Sequence, residues 1–107
     1  MNDMTENRVI SFLGLCMRAG RVISGQEACV DLVRTGEAAL VLMDASASDN
    51  TRKRLTDACH SHSVALYEVS ATALGASIGK KGRMVIALRD DGMAQKLLSM
   101  LEGEPRL

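Results

Sequence analysis

The sequence predicts a three-layer α/β/α sandwich with four strands. Short apolar runs of strand length alternate along the chain with segments in which apolar residues recur at helical spacing. The runs 39–43 and 84–88 are apolar throughout, which is typical of strands covered by helices on both faces. A chain of 107 residues has room for one such domain and for only short loops.

The first helix is expected to begin after Thr5, a favoured N-cap residue, and to stop at Gly20, because apolar residues between them share one helical face. A very short strand follows at 22–23. Ser24 and Glu27 match the S-x-x-E capping box, which predicts that Ser24 opens the second helix.

The second helix is expected to end at Gly36, before the second strand at 39–43. A polar loop rich in capping residues, 44–50, leads to a third helix over 51–61. The third strand is predicted at 64–69.

A short helix over 72–78 and a glycine-flanked loop precede the fourth strand at 84–88. Asp90 or Asp91 is expected to cap the last helix. We expect one domain over residues 5–102 and a flexible tail over 103–107.

The composition excludes several function classes. One Tyr, one Phe and no Trp argue against RNA recognition that depends mainly on aromatic stacking. The net charge is zero, so nucleic-acid binding requires cations segregated on one face. The three cysteines form no CxxC pair, and no signal peptide or membrane-spanning segment is recognised. A reduced, cytoplasmic protein without a membrane partner is expected.

Three basic groups lie near element boundaries, where binding residues are often placed. They are Arg18 with Arg21, the run 52–54, and the run 80–83. If the first and third groups shared an edge, they would neutralise about 3–5 phosphates and make binding salt-sensitive. For 52–54 the alternative is a solvated surface in which Asp49 and Asp57 pair with the cations.

Four segments, 18–25, 36–42, 44–51 and 74–80, resemble the ribosomal protein superfamily of L-seven-Ae, L-thirty-e and S-twelve-e. The resemblance covers residues 7–98 and is greatest to the bacterial YlxQ-type members. It implies an α/β/α sandwich with a four-stranded mixed sheet. It also implies binding to kink-turn or related RNA through two segments, the turn from strand one to helix two and the loop before strand four.

The turn corresponds to residues 24–28 of this chain, and the loop corresponds to residues 78–82. Kink-turn binders of the family carry a Gly-x-Asn-Glu signature followed three residues later by lysine. Glu27, Ala28 and Asp31 stand at the Asn, Glu and Lys positions of that signature. A carboxylate only accepts hydrogen bonds, and near phosphate it is repulsive, so these departures affect recognition directly.

The resulting interface prediction assigns phosphates to the cations and backbone donors to Ser24 and Gly25. Base contacts are assigned to Gln26, whose amide both donates and accepts, and to Glu27. The side chain of Ile78 is expected to pack on an exposed base or sugar. The full predicted set is Arg18, Arg21, Ser24, Gly25, Gln26, Glu27, Ile78, Gly79, Lys80, Lys81 and Arg83.

No catalytic, metal or cofactor site is predicted. Cys59 and His62 lack a second ligand pair, and Cys59 falls on the apolar stripe of its helix, which predicts a buried, inert thiol. The leading hypothesis is a small non-catalytic RNA-binding protein, ribosomal or ribosome-associated, whose partners are structured RNA and components of the ribosome or another ribonucleoprotein. The alternatives are a protein-interaction module that has lost specific RNA recognition, and a thiol- or metal-dependent enzyme.

Overall fold

The structure is a computed structural model that describes residues 1–79 and 82–107. Five helices and four strands alternate along these residues, and together they confirm the predicted α/β fold with a mixed sheet. In chain order the elements are α1 (Asp3–Arg18), β1 (Val22–Ser24), α2 (Gln26–Arg34), β2 (Ala38–Asp44), α3 (Asp49–Ser61), β3 (Ala65–Val69), α4 (Ala73–Ile78), β4 (Val85–Arg89) and α5 (Gly92–Met100).

The sheet has the strand order β1-β4-β2-β3. Strands β2 and β3 are parallel, whereas β4 is antiparallel to both of its neighbours. Ser24, the last residue of β1, pairs with Ile86 near the start of β4. This pairing places the turn after β1 beside the segment that enters β4, although the two are about sixty residues apart in sequence.

Helices cover both faces of the sheet, and each face has its own apolar core. Alternation along β2 divides its side chains, since Leu42 belongs to the core under α1, α4 and α5. Its neighbour Met43 belongs to the core under α2 and α3. Leu55 of α3 and Leu97 of α5, one from each core, are completely buried. The prediction of strands covered on both faces is confirmed.

The starts of three helices test the capping residues predicted from the sequence. Asp91 caps α5, as predicted, by accepting a bond of 2.9 Å from the N–H of Ala94. The prediction for α1 is wrong, because Asn2 is the N-cap and its Oδ1 accepts from the N–H of Thr5 at 2.8 Å. Asn is at least as good a cap as Thr, so the helix gains three residues at its start. Ser48 caps α3, which begins before the predicted position.

The C-terminal residues lie against β3 and α3. The N–H of Leu107 donates to the carbonyl of Leu66 at 2.9 Å, and the carbonyl of Leu107 is 2.8 Å from Nε2 of His60. Nε of Arg106 donates to the hydroxyl of Tyr67 at 3.3 Å. No helix within the described ranges is long and apolar enough to cross a membrane.

Candidate RNA interface

The turn after β1 and the segment before β4 meet at Gly25. The N–H of Gly25 donates to the carbonyl of Val85 at 3.1 Å, so the turn is fastened to the start of β4. Gly25 has φ 101° and ψ 147°, a conformation that residues with a Cβ rarely adopt. A Cβ built there would lie 2.9 Å from Nη1 of Arg83. The structure therefore brings together Gly25 and Arg83, two of the predicted site residues.

Helix α2 begins without a side-chain cap. The predicted capping box of Ser24 and Glu27 is wrong, because Ser24 is the last residue of β1 and Gly25 takes the N-cap position. The first bond within the helix runs from the N–H of Cys29 to the carbonyl of Gly25. Across the described residues, the N–H groups of 26–28 have no acceptor. Such a helix end attracts anions. These three groups, and not the N–H of Gly25, are the backbone donors at this turn.

The amide of Gln26, which the sequence assigns to a base, is engaged inside the protein. Its Oε1 accepts a bond of 2.6 Å from Oγ1 of Thr51, and its Nε2 donates to Oε1 of Glu27 at 3.4 Å. Ser48 Oγ in turn donates to Oγ1 of Thr51 at 3.1 Å. The first turns of α2 and α3 are thereby joined by one hydrogen-bonded network.

All three cations of the 52–54 run are ion-paired. Arg54 donates through both of its terminal nitrogens to the two carboxylate oxygens of Glu27. The other two pairs are Arg52 with Glu68 and Lys53 with Asp57. The interpretation of 52–54 as an ion-paired, solvated surface therefore fits the structure, although Asp49 takes no part in it.

The first basic group is divided between two places. Nη1 of Arg18 lies 3.7 Å from the position of a Cβ on Gly14, and the carbonyl of Ser77 lies 3.7 Å from the same position. Both groups therefore lie beside Gly14, and Ser77 belongs to the last turn of α4, just before the loop that leads to β4. Arg21 lies at the opposite end of β1 from Gly25, and its Nη1 is 3.9 Å from Oδ2 of Asp91. The structure does not bring Arg21 together with the other predicted contacts.

The loop side of the predicted interface is only partly described, since Lys80 and Lys81 lie outside the described residues. Gly79 ends α4 with φ 70°. Ile78 is only 5% exposed and packs in the core under α1 and α4, so the predicted contact of its side chain with a base is not available in this structure. A side chain of α4 that faces the sheet is buried before any RNA is present.

A groove beside Arg83 was not anticipated from the sequence. It has a volume of about 510 Å³ and lies between α4 and the segment that enters β4. The small residues of α4 leave this space open, and they are the signal that sequence reasoning overlooked. The groove is lined by Thr72, Gly75, Ala76, Gly82, Arg83 and Met84.

Asp44 is a second residue that sequence reasoning overlooked. It ends β2 fully buried, and its Oδ1 accepts bonds from the N–H of Ser46 at 2.9 Å and from Oγ of Ser46 at 2.6 Å. The N–H of Asp44 donates to the carbonyl of Met84 at 2.7 Å. Asp44 therefore fixes the loop after β2 against the groove-lining segment. The sequence signal for this role is a carboxylate directly after the apolar run 39–43.

The thiols are buried, as predicted for Cys59. Burial raises the pKa of Cys29 to about 12 and that of Cys59 to about 11, so both thiols are protonated at neutral pH. Nδ1 of His62 lies 3.1 Å from the carbonyl of Ala58 at the end of α3. Within residues 1–79 and 82–107, no group of three or more His, Cys, Asp or Glu side chains is arranged to hold a metal ion.

Two curated bacterial proteins are similar to this chain over most of its length. RNA-binding protein YlxQ of Bacillus subtilis (strain 168) is 44% identical over 91 residues, which are 84% of this chain and 91% of that protein. RNA-binding protein YlxQ of Enterococcus faecium is 31% identical over 103 residues, which are 96% of this chain and 100% of that protein.

Two solved structures share the fold. One is a protein of unknown function from Bacillus halodurans, with a TM-score of 0.81 and 35% identity, which covers 88% of this chain and 96% of its own. The other is the 15.5kD RNA binding protein of Giardia lamblia, with a TM-score of 0.73, 18% identity, and coverage of 94% and 92% of the two chains. At that identity the second likeness concerns the fold alone.

The matching family model spans all four of the segments on which the resemblance rests. The Ribosomal protein L7Ae/L30e/S12e/Gadd45 family matches residues 8–98, which include every helix and strand except the first residues of α1 and the last residues of α5. The chain belongs to the Ribosomal protein L7Ae/L30e/S12e/Gadd45 family.

Proposed function

We propose that the protein is a non-catalytic, cytoplasmic RNA-binding protein that docks on structured RNA through the Gly25–Arg83 surface. This surface consists of Gly25, the N–H groups of 26–28, Arg83 and the groove beside it. One observation carries the proposal: three backbone donors without an acceptor in the described structure stand next to a guanidinium. Both are groups that bind phosphate oxygens.

The surface offers complementary contacts for a folded RNA strand. A phosphate at the start of α2 would accept from the backbone N–H groups, and Arg83 would bind the same or the next phosphate. The groove between α4 and the segment that enters β4 is mostly apolar, which suits the face of an unstacked base or a sugar. Lys80 and Lys81 are proposed as further phosphate contacts on the basis of the sequence.

The relatives support RNA as the partner class, since both curated relatives are named RNA-binding proteins. We further propose that the RNA is kink-turn-like or ribosomal, on the basis of family membership. Glu27, Ala28 and Asp31 replace the signature of the kink-turn binders, so a different set of base contacts is expected. The three buried free thiols support a reduced, cytoplasmic location.

The first experiment is a titration of the protein against three RNAs at two salt concentrations. The RNAs are a kink-turn, the same RNA with its kink-turn mutated, and an unrelated duplex. We expect binding that weakens with salt, with a slope of log K against log salt of about −0.9 for each neutralised phosphate. Absence of binding to all three RNAs, or binding that is indifferent to salt, overturns the proposal.

Two matched substitutions, one just before β4 and one at its end, test the location of the RNA-binding surface. R83A removes the guanidinium at Gly25, and we expect it to make the salt slope shallower by about 0.9. R89A is the control, because Arg89 lies at the other end of β4, where its Nε is 3.5 Å from Oε2 of Glu37. Equal effects of the two substitutions contradict the assignment of the surface.

A protein-interaction module is the second candidate function. It is favoured by the engagement of Gln26, Glu27 and the 52–54 cations within the molecule, and by the net charge of zero. Lys80→Glu combined with Lys81→Glu separates the two candidates when RNA retention and protein capture are both measured. Loss of the RNA signal alone supports RNA binding, whereas loss of a captured protein alone supports the module.

A further inference from the structure

We propose that Glu27 sets the strength of RNA binding by holding Arg54 in an intramolecular ion pair at the start of α2. The inference rests on the proposed function and deepens it. Glu27 acts as a negative determinant: it neutralises a cation that stands at the phosphate-binding end of α2, and it adds a like charge beside the phosphate. Arg54 is a reserve cation that makes no phosphate contact while Glu27 is present.

The geometry of the pair favours this role over a purely structural one. Arg54 approaches both oxygens of Glu27, with Nη2 donating to Oε2 at 3.3 Å. The Glu27 side chain is 70% exposed and that of Arg54 is 34% exposed. Ion pairs with this exposure contribute little to folding stability. The ion pair can therefore be broken with little loss of folding stability, and it lies where solvent and a ligand can reach it.

The pair lies at the proposed phosphate site. Glu27 is the second residue of α2, and its own N–H is one of the three donors without an acceptor in the described ranges. The bond between Gln26 and Thr51 holds the start of α3 against the start of α2, so the guanidinium of Arg54 is near the same helix end. Removal of the Glu27 charge would leave the helix end, Arg54 and Arg83 as one positive surface.

The neighbouring ion pairs provide a matched control. Lys53 and Asp57 form a pair within α3 at 3.0 Å, and both side chains are exposed. Asp57→Asn removes one negative charge and releases one cation of the same helix, as Glu27→Gln does. It leaves the start of α2 unchanged. A general effect of net charge therefore appears in both variants, and an effect of position appears only in Glu27→Gln.

The experiment measures RNA affinity and its salt slope for the wild-type protein, E27Q, R54A, the double variant E27Q/R54A, and D57N. Glutamine keeps the size of the side chain and an acceptor for the amide of Gln26. We expect E27Q to bind the best of the three RNAs several-fold more tightly than wild type at low salt. Its slope should steepen by about 0.9, the value for one additional phosphate contact. R54A alone should keep the wild-type slope and bind more weakly than wild type, because Glu27 is then left without its cation beside the phosphate. E27Q/R54A should return to the wild-type slope.

The outcomes separate this inference from the proposed function. Absence of RNA binding by the wild-type protein overturns the proposed function. Binding by wild type with an unchanged or shallower slope in E27Q overturns only the role of Glu27. A shallower slope in R54A alone also overturns that role, because it means that Arg54 already contacts phosphate. A gain in D57N equal to that in E27Q assigns the effect to net charge and overturns it as well. Thermal unfolding of each variant verifies that the fold is intact.

Discussion

The backbone of Gly25 approaches the guanidinium of Arg83 so closely that a Cβ at residue 25 would lie 2.9 Å from Nη1 of Arg83. The contact joins the turn after β1 to the segment that enters β4. It also requires glycine for two separate reasons, a positive φ and a lack of space. The end of a flexible arginine side chain can move, whereas the backbone at residue 25 is held by the bond from its N–H to the carbonyl of Val85.

The two reasons predict two separable effects of Gly25→Ala. The backbone conformation should lower the free energy of unfolding by about 1–3 kcal/mol. Displacement of Arg83 should weaken RNA binding several-fold at low salt. Gly20→Ala is the control, since Gly20 also has a positive φ of 71° but no atom lies within 4 Å of its Cβ position. Chemical denaturation and RNA titration of both variants test this. Wild-type RNA affinity in Gly25→Ala would contradict the role of the contact.

The buried carboxylate at the end of β2 predicts a stability effect. Asp44→Ala removes the acceptor of the N–H and Oγ of Ser46, and hydrogen bonds to a charged group contribute about 1.5–3 kcal/mol each. We expect a loss of about 1–3 kcal/mol in the free energy of unfolding, measured by urea denaturation, because the N–H of Ser46 is left without its acceptor. Ser46→Ala removes only the Oγ donor and should lose about half as much or less. Equal losses of stability in the two variants would assign the whole effect to the bond from Oγ of Ser46.

The sequence predicted the fold well because its main determinants are local. The apolar runs at 39–43 and 84–88 and the cap at Asp91 depend on residues close in sequence. The start of α2 could not be predicted in the same way. Ser24 satisfies the capping motif, but its pairing with Ile86 draws it into the sheet. That partner is 62 residues away in sequence.

The candidate site shows the same division between local and distant determinants. Glu27 matches a capping box in sequence, yet its partner is Arg54, 27 residues later. Arg18 and Arg21 are only three residues apart in sequence. The end of α1 and the turn after it place their side chains in different surroundings. Net charge and spacing describe which cations exist, whereas the packing of α3 against α2 and β3 gives Arg54 and Arg52 their acidic partners.

The thiols predict how stability changes above neutral pH. The pKa of Cys29 is raised by burial to about 12, above its ordinary value of 9.0, so the folded state keeps the proton longer than the unfolded state. The contribution to stability is fully present below pH 9 and is lost as pH rises toward 12. The free energy of unfolding should fall by up to about 1.4 kcal/mol per pH unit for this thiol. Urea denaturation at pH 8, 10 and 11 measures this slope. A Cys29→Ala variant with the wild-type slope would contradict the assignment.

The contacts of the C-terminal residues predict that this segment is ordered and stabilises the fold. Deletion of 104–107 removes the bond from the N–H of Leu107 to the carbonyl of Leu66 and the contact with His60. It should lower the free energy of unfolding by about 1–2 kcal/mol, since each such bond contributes about 0.5–1.5 kcal/mol. In the intact chain the amide of Leu107 should exchange its hydrogen slowly. Arg106→Ala is the control, because it removes only the bond to Tyr67. The flexible tail expected from the sequence would be supported by two results together. The Leu107 amide would exchange at the rate of an unstructured peptide, and the truncated chain would be as stable as the intact one.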